Sequence, residues 1–296
     1  MKVRALIDGD WILYAAGFAG QKTKYVLPAL FGEQEFDNKT ELREVAEQED
    51  RDWQELPVYS RVVLDPESHF FHSAKKMIET QLQKIGEKFG TDNVPYTVLI
   101  DGDGNFRNRI ATLRGYKANR APNSKPMMYG AIRQYLIDNW DAEVIHDQET
   151  DDEMCIRATA LQNNGVTSVL VGVDKDYKQQ PGWWLNPNKG FMRIGEQQGA
   201  WYLHIQCLTG DSSDNIGGAY KIGPKIAQEL VPKRGTPEQM WDAVVGGFQL
   251  SMTKYPEKYP ADMTPETAAL ENMRLVYLRR EYNEMWAPPG TDDGRT

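Results

Sequence analysis

Cysteine and histidine are scarce: Cys155 and Cys207 are the only cysteines, and there are four histidines in 296 residues. Two cysteines exclude a disulfide framework and any zinc site made of cysteine pairs, so buried thiols in a reducing compartment are expected. His69, His72, His146 and His204 lack metal-ligand spacing and are read as structural. No apolar run approaches the roughly 18 to 20 residues of a membrane span, so no membrane contact is expected. The first residues, Met-Lys-Val-Arg-Ala-Leu-Ile-Asp, reach an acid too early for a secretory signal, and a cytoplasmic location is expected. With 40% hydrophobic and 26% charged residues, the chain is neither collagen-like nor wholly disordered. It shows no internal repeat.

The formal net charge is −9, from 34 basic and 43 acidic residues. At face value that balance disfavours a polyanionic partner. Its distribution says otherwise. From Gly104 to Ile137 there is no Asp or Glu, while Arg107, Arg109, Arg114, Lys117, Arg120, Lys125 and Arg133 are all present. A surface helix would normally mix signs, so this stretch is a local positive field. Glu33 to Glu55 is the reverse, ten acids against Lys39, Arg43 and Arg51, and reads as an exposed, partly helical insertion.

Val3–Ile7, Tyr96–Ile100, Ala142–Ile145 and Ser168–Val173 read as short buried strands, and a short helix is expected after Asp10. Tyr25–Phe31 and Val58–Leu64 are β-prone and flank the acidic stretch as a hairpin at its base. Helices are expected from a Ser68 cap to Phe89, from Ser124 to Asn139, from Glu149 to Gln162, and near Thr267 to Tyr282. Trp183 and Trp184, after Pro181-Gly182, read as hairpin packing. Alternating strands and helices imply an α/β fold, with a mostly parallel central sheet flanked by helices. The pattern becomes mainly helical after Trp201.

In open α/β sheets, ligands bind beyond the carboxyl ends of the strands. There the sequence places Asp8, Asp101, Asp174 and Asp176. A fourth strand leads into Glu149-Thr150-Asp151-Asp152, and Gly210-Asp211-Ser212-Ser213-Asp214-Asn215 adds two more acids. Any one of these alone would be a cap or a turn residue. Together they are nine carboxylates on one sheet edge, unstable without a counter-charge. Hard divalent cations such as Mg²⁺ take few protein carboxylates each, so two metal sites are inferred. Without these nine acids the formal charge of −9 falls to zero, which makes a polyanionic substrate compatible with the composition.

Ile7-Asp8-Gly9-Asp10-Trp11, Tyr116-Lys117-Ala118-Asn119-Arg120, Glu149-Thr150-Asp151-Asp152, Val173-Asp174-Lys175-Asp176 and Gly210-Asp211-Ser212-Ser213-Asp214-Asn215-Ile216 follow in that order. This set resembles the 5′-nuclease superfamily of flap endonucleases, polymerase I 5′–3′ exonuclease domains and free-standing phage 5′–3′ exonucleases, with the phage enzymes the nearest likeness. The resemblance implies a divalent-metal-dependent 5′–3′ exonuclease or structure-specific 5′ nuclease. Its products would be short fragments with 5′ phosphates and 3′ hydroxyls. It assigns Asp8, Asp101, Glu149, Asp151 and Asp152 to a first Mg²⁺, and Asp174, Asp176, Asp211 and Asp214 to a second, with Mn²⁺ as a substitute. Thr150 stands where the family has Ala or Gly.

By the same match, Lys117 and Arg120 hold and polarise the scissile phosphate and Tyr116 stacks on a terminal base. Arg107, Arg109, Arg114 and Lys125 supply phosphate contacts, and which of Arg107 and Arg109 reaches inward is left open. Ile216 to Leu230, with Gly217, Gly218, Lys221, Gly223 and Lys225, resembles a helix-three-turn-helix that grips duplex phosphates and takes K⁺. Gly223-Pro224 suits a helix start with Pro at its first position. The expected organisation is a nuclease core over 1–200, with the acidic insertion at about 20–65 and a helical arch at about 104–140. A helical DNA-binding region follows over 201–287, its helix-three-turn-helix at about 214–231, then a flexible tail over 288–296. The implied partner is DNA with a 5′ end, flap or nick, or an RNA primer in a hybrid, in a bacterial or phage-infected cell. Replication proteins are a further partner, through the acidic insertion. Two alternatives are a related metal-dependent ribonuclease, which needs neither arch nor helix-three-turn-helix, and a non-catalytic DNA-structure binder, which the intact acid set disfavours.

Overall fold

The structure, a computed structural model, describes residues 2–28, 32–120 and 125–291. It divides into two compact units, one of residues 1–10, 80–124 and 141–296, the other of 11–79 and 125–140.

The larger unit is built on a six-stranded sheet. Its strands are β1 (Val3–Asp8), β5 (Tyr96–Asp101), β6 (Glu143–Ile145), β7 (Thr167–Val171), β8 (Gly182–Asn186) and β9 (Gly190–Ile194), in the order β6-β5-β1-β7-β8-β9. All neighbours are parallel except the β8–β9 hairpin. β1 reads Val-Arg-Ala-Leu-Ile-Asp, with Ala5, Leu6 and Ile7 almost fully buried, because the central strand is covered on both faces. The chain passes from β1 to β5 and β6 on one side and then returns to β7 on the other. The carboxyl ends of β1 and β7 therefore flank a topological switch point, where crevices form. Gly9 is needed here: a Cβ on it would stand 2.4 Å from Ile100 Cγ2 and 2.8 Å from the Leu99 carbonyl oxygen.

Helix α6 (Thr150–Asn163) packs Met154, Cys155 and Ala158 against Leu6, Leu99 and Leu170 of the sheet. Trp184 joins that core, its Nε1 donating to the Gly172 carbonyl at 2.9 Å, in keeping with the hairpin reading. Short α4 (Arg107–Ile110) follows β5; α7 (Glu196–Thr209), α8 (Pro224–Leu230), α9 (Pro237–Lys254) and α10 (Pro265–Val276) make the helical region. They share a second core that includes Leu208, Ile222, Val244, Phe248 and Met273. Both cysteines are buried and unpaired.

In the smaller unit, β2 (Gln21–Leu27), β3 (Gln34–Phe36) and β4 (Tyr59–Leu64) form an antiparallel sheet in the order β3-β2-β4. β2 and β4 pair at the base of the acidic stretch, whose helix α2 (Lys39–Gln48) is capped by Asn38 and buries Leu42 and Ala46. Residues 29–31 of the expected first strand lie outside the described residues.

Several boundaries differ from expectation. α3 (Glu67–Phe89) starts at Glu67, not after a Ser68 cap, because Pro66 precedes it and its carbonyl accepts from His69 N at 2.8 Å. α5 (Tyr129–Trp140) begins beyond Pro126, since the residue before a proline is pushed out of the helical region. Of the stretch expected as a helical arch, α4 and α5 are the helical parts among the described residues, and residues 121–124 lie outside them. α10 stops at Val276, short of Tyr282. Beyond it, Leu278 N donates to Gln179 Oε1 and Arg279 N to Asp152 Oδ1, so these amides leave the helical ladder. Pro288 to Thr291 closes a turn, and residues 292–296 of the expected tail lie outside the described residues.

Candidate active site

All nine acids lie in the larger unit. Asp8 and Asp101 end β1 and β5, and Glu149 is the N-cap of α6. Asp101 Oδ1 accepts from Thr150 N at 2.7 Å. Asp10 Oδ2 accepts from Asp101 N at 2.7 Å and from Thr150 Oγ1 at 3.2 Å. The threonine hydroxyl is thus satisfied where the family has a smaller residue. Asp10, which the sequence reading did not assign to the site, fixes the start of α6; the repeated Asp-Gly-Asp after β1 and β5 was its signal. After β7, Asp174 caps a 3₁₀ turn, Lys175–Gln179, accepting from Asp176 N at 2.8 Å.

Five of the nine, Glu149, Asp151, Asp176, Asp211 and Asp214, line one cavity of about 10 Å³, room for one water or one ion. They come from the start of α6, the turn after β7 and the loop after α7. Glu149, Asp151 and Asp152 also bring carboxylate oxygens within 4.8 Å of one another. Asp8, Asp101 and Asp174 stand on the same sheet edge but do not line the cavity. Burial, reinforced by Glu149 and Asp152, drives the Asp151 carboxyl well above the ordinary range. Burial and neighbouring Asp174 push Asp176 up to about 6. Asp176 Oδ1 is buried without a hydrogen bond, with Lys175 Nζ 3.2 Å away but misaligned. Lys175 also pairs with Asp211 Oδ2. It lies in the middle of the Asp174-Lys175-Asp176 motif and is a local counter-charge that the sequence reading passed over.

Arg107 is not a phosphate clamp. It is 1% exposed and uses all five of its N–H groups inside the protein. Nε donates to the Leu275 carbonyl at 2.9 Å, and Nη2 to the Tyr277 carbonyl at 2.8 Å and to Asp152 Oδ1 at 3.0 Å. Nη1 donates to Asp152 Oδ2 and, at 3.2 Å, to Glu149 Oε2. Asp152 is fully buried and also accepts from Arg279 N at 3.0 Å. Asp152 Oδ1 thus takes two protein donors and Oδ2 one, which anchors the side chain while its carboxylate still groups with those of Glu149 and Asp151. Arg109 and Arg114 are exposed. Lys125, in the smaller unit, lies over the Tyr129 ring at 4.3 Å.

Tyr116 does not offer a ring for base stacking. It is 8% exposed, and its hydroxyl is 2.7 Å from Glu149 Oε2 and 2.9 Å from Asp214 Oδ2. One proton can serve only one of them at a time, so the phenol ties the two groups of acids together. Burial, and then Glu149, push this phenol far above its ordinary range. Lys117 adopts a left-handed φ of 54°, donates its N–H to the Asp214 carbonyl at 2.9 Å and pairs through Nζ with Glu149. Burial would lower the Lys117 ammonium, but Glu149 and Asp214 outweigh it and hold the group up. Burial likewise acts to raise Glu149, and Arg107 and Lys117 together pull it below the carboxylate range. Arg120 donates to Asp214 Oδ1 at 2.8 Å. Asn119 and Asn215 exchange side-chain bonds across the two loops, to the Ser212 and Gly115 carbonyls at 2.7 and 2.9 Å.

In the Gly217–Lys225 turn the constrained glycine is not the one beside Pro224. Gly223 has φ −85° and open space where a Cβ would stand, so no backbone need holds glycine there. The constrained position is Gly218, with φ +60° and a built Cβ 2.5 Å from the backbone of Thr209 and Gly210. Lys221, which stands where the family commonly has Gly, takes a left-handed φ of 64°. Gly218→Ala is expected to lower stability by more than about 1 kcal/mol in chemical denaturation, and Gly223→Ala to change it by less than about 0.5 kcal/mol. Equal losses would contradict this.

No protein-family model matches the chain. A flap endonuclease Xni of Shewanella piezotolerans is 33% identical over 150 residues, 46% of this chain and 59% of that protein. DNA polymerase I of Deinococcus radiodurans is 29% identical over 147 residues, 45% of this chain and 15% of the polymerase. The chain thus spans about three-fifths of the curated flap endonuclease it matches. Among solved structures, a T5 5′-exonuclease with zinc bound superposes with a TM-score of 0.52 at 14% identity, over 93% of this chain and 89% of that one. The named relatives are a flap endonuclease and a DNA polymerase, and the T5 5′-exonuclease shares the fold. The expected likeness to phage enzymes is met at the level of fold, whereas the sequence relatives named here are bacterial.

Proposed function

We propose that this protein is a divalent-metal-dependent, structure-specific 5′ nuclease that hydrolyses DNA phosphodiester bonds near 5′ ends. The observation that carries the reading is the small cavity walled by five carboxylates from three separate segments, with cationic Lys117 and Arg120 beside it. The names of the relatives, flap endonuclease and DNA polymerase I, agree with it. So does the solved flap endonuclease of bacteriophage T5 in a pseudo-enzyme-product complex with DNA and metal ions.

The donor set is all oxygen, which suits Mg²⁺ or Mn²⁺. Asp176 Oδ1, buried and without a hydrogen bond although Lys175 Nζ stands 3.2 Å away, suits a cation as a further partner. Glu149, Asp151, Asp176, Asp211 and Asp214 would hold one ion in the cavity, and Asp8, Asp101 and Asp174 stand on the same sheet edge for a second. When bound, divalent ions supply Lewis-acid polarisation of a phosphodiester and neutralise its charge. The chain's own residues supply the rest. Lys117, fixed by its backbone bond to Asp214, directs an ammonium at the charge that develops on the phosphate. Arg120 offers a planar guanidinium for a neighbouring phosphate oxygen. Tyr116 spans Glu149 and Asp214 and sets their separation. Arg107 holds Glu149 ionised and the start of α6 in place.

The acid cluster ties metal to stability. Asp176 has an ordinary value of 3.8 and rises to about 6 in the fold. Its neutral form is favoured in the folded state, so its contribution to stability is present below pH 3.8 and is lost as pH rises through about 6. In EDTA the melting temperature should therefore decline across that window. Added Mg²⁺ should raise it more at pH 7 than at pH 5, because only the ionised carboxylate binds. Thermal melts at the two pH values, with and without Mg²⁺, check this; a Mg²⁺ effect equal at both would contradict it.

A further inference from the structure

Resting on the nuclease reading above, we infer that Lys254 and Lys258, set around Tyr220 and Tyr255, form a second cationic surface. It continues the phosphate track past the Gly217–Lys225 turn and takes the sugar-phosphate backbone of the duplex arm of the substrate. The surface is built, not incidental. Tyr220 sits in the middle of the turn and is pinned at both backbone groups. Its N–H donates to Tyr259 Oη at 2.9 Å, and its carbonyl accepts from Ser251 Oγ at 2.9 Å, with Ser251 Oγ and Tyr259 Oη 2.6 Å apart. The turn is thereby locked to the end of α9 and the 3₁₀ turn after it, Pro256–Lys258.

The Tyr220 and Tyr255 rings meet edge to face at 5.1 Å. Lys221 and Lys258 lie over Tyr220 at 5.7 and 5.2 Å, and Lys254 lies over Tyr255 at 5.7 Å. Three exposed ammonium groups are therefore held on one ridge by two partly buried rings. Lysines cover the ring faces, so the surface suits phosphates and not the stacking of unpaired bases. Lys258 also lines a cavity of about 90 Å³ with Arg114, Gly217, Gly218 and Tyr220, and Arg114 Cζ is 3.0 Å from where a Cβ on Gly217 would stand. Glu271 lines that cavity too, but its oxygens are occupied by Thr112 N, Thr112 Oγ1 and Leu113 N. Glu257 stands 4.0 Å from Lys258 and is 63% exposed, a pair that water screens.

The test is the double variant Lys254→Gln/Lys258→Gln, measured by fluorescence anisotropy in EDTA with a blunt duplex and with a short single strand across a salt series. Two lost phosphate contacts should make the duplex slope of log K against log salt shallower by about 1.8, at about 0.9 per phosphate, and leave the single-strand slope unchanged. A duplex slope equal to wild type, or an equal change on both ligands, overturns the ridge while leaving the nuclease reading intact. Wild-type protein that neither binds the duplex in EDTA nor cleaves a flapped duplex in Mg²⁺ overturns both.

Discussion

Arg107→Met is expected to lower the unfolding free energy by about 3–5 kcal/mol, the range for leaving one member of a buried ion pair uncompensated. Asp152 would remain fully buried with its main counter-charge gone, and the carbonyls of Leu275 and Tyr277 would each lose a donor. The loss should concentrate where Arg107 joins α4, the start of α6 and the segment after α10. Equilibrium urea unfolding measures it. Arg107→Met/Asp152→Leu should recover a large part, because removing both charges removes the desolvation penalty with the attraction. A single-variant loss below about 1 kcal/mol would show that the node is not the cross-link the geometry describes. Recovery in the double variant would also separate this structural effect from any role of Arg107 in contacting substrate.

Lys117→Ala is expected to reduce the single-turnover cleavage rate by about 10²–10³, the usual worth of one preorganised charge on a developing oxyanion. Duplex affinity should change modestly, with the salt slope reduced by about one. The asymmetry follows from position. Lys117 is held to the Asp214 carbonyl in a left-handed conformation and faces Glu149, while Arg120 sits farther out, its side chain 55% exposed. Rapid-quench measurements at saturating protein separate rate from binding. A variant that loses affinity alone would make Lys117 a positioning residue.

Much of the fold and part of the site were legible in the sequence, for reasons that can be traced to particular residues. Short apolar runs ending in acid-glycine, such as Ala5-Leu6-Ile7-Asp8-Gly9, mark buried parallel strands, since only a strand covered on both faces is apolar without alternation. The strand-end rule then gathered the acids at one edge, and the cavity brings five of them together. The roles of Arg107, Asp152 and Tyr116 were not legible. An arginine in an acid-free stretch looks like a polyanion contact. Only tertiary structure, which brings Leu275 and Tyr277 within reach of Arg107 across more than 160 residues of sequence, shows that its donors are spent internally. Tyr116 was open for the same reason: its hydroxyl partners, Glu149 and Asp214, lie 33 and 98 residues away in the sequence. The glycine reading shows the reverse weakness: Gly223 stood out beside Pro224, yet the backbone constraint falls on Gly218, and no local pattern reports a φ set by contacts to Thr209 and Gly210.

The central claim is that this acid cavity cleaves DNA near 5′ ends with divalent metal. The most direct measurement is digestion of a flapped duplex labelled at the 5′ end of the flap strand or at its 3′ end, in Mg²⁺ and in Mg²⁺ with excess EDTA. The expected result is release of short 5′-labelled fragments with 3′ hydroxyl ends, a 3′-labelled product that begins with a 5′ phosphate near the junction, and no cleavage in EDTA. Binding without cleavage in Mg²⁺, degradation from the 3′ end, or cleavage that persists in EDTA would contradict the account.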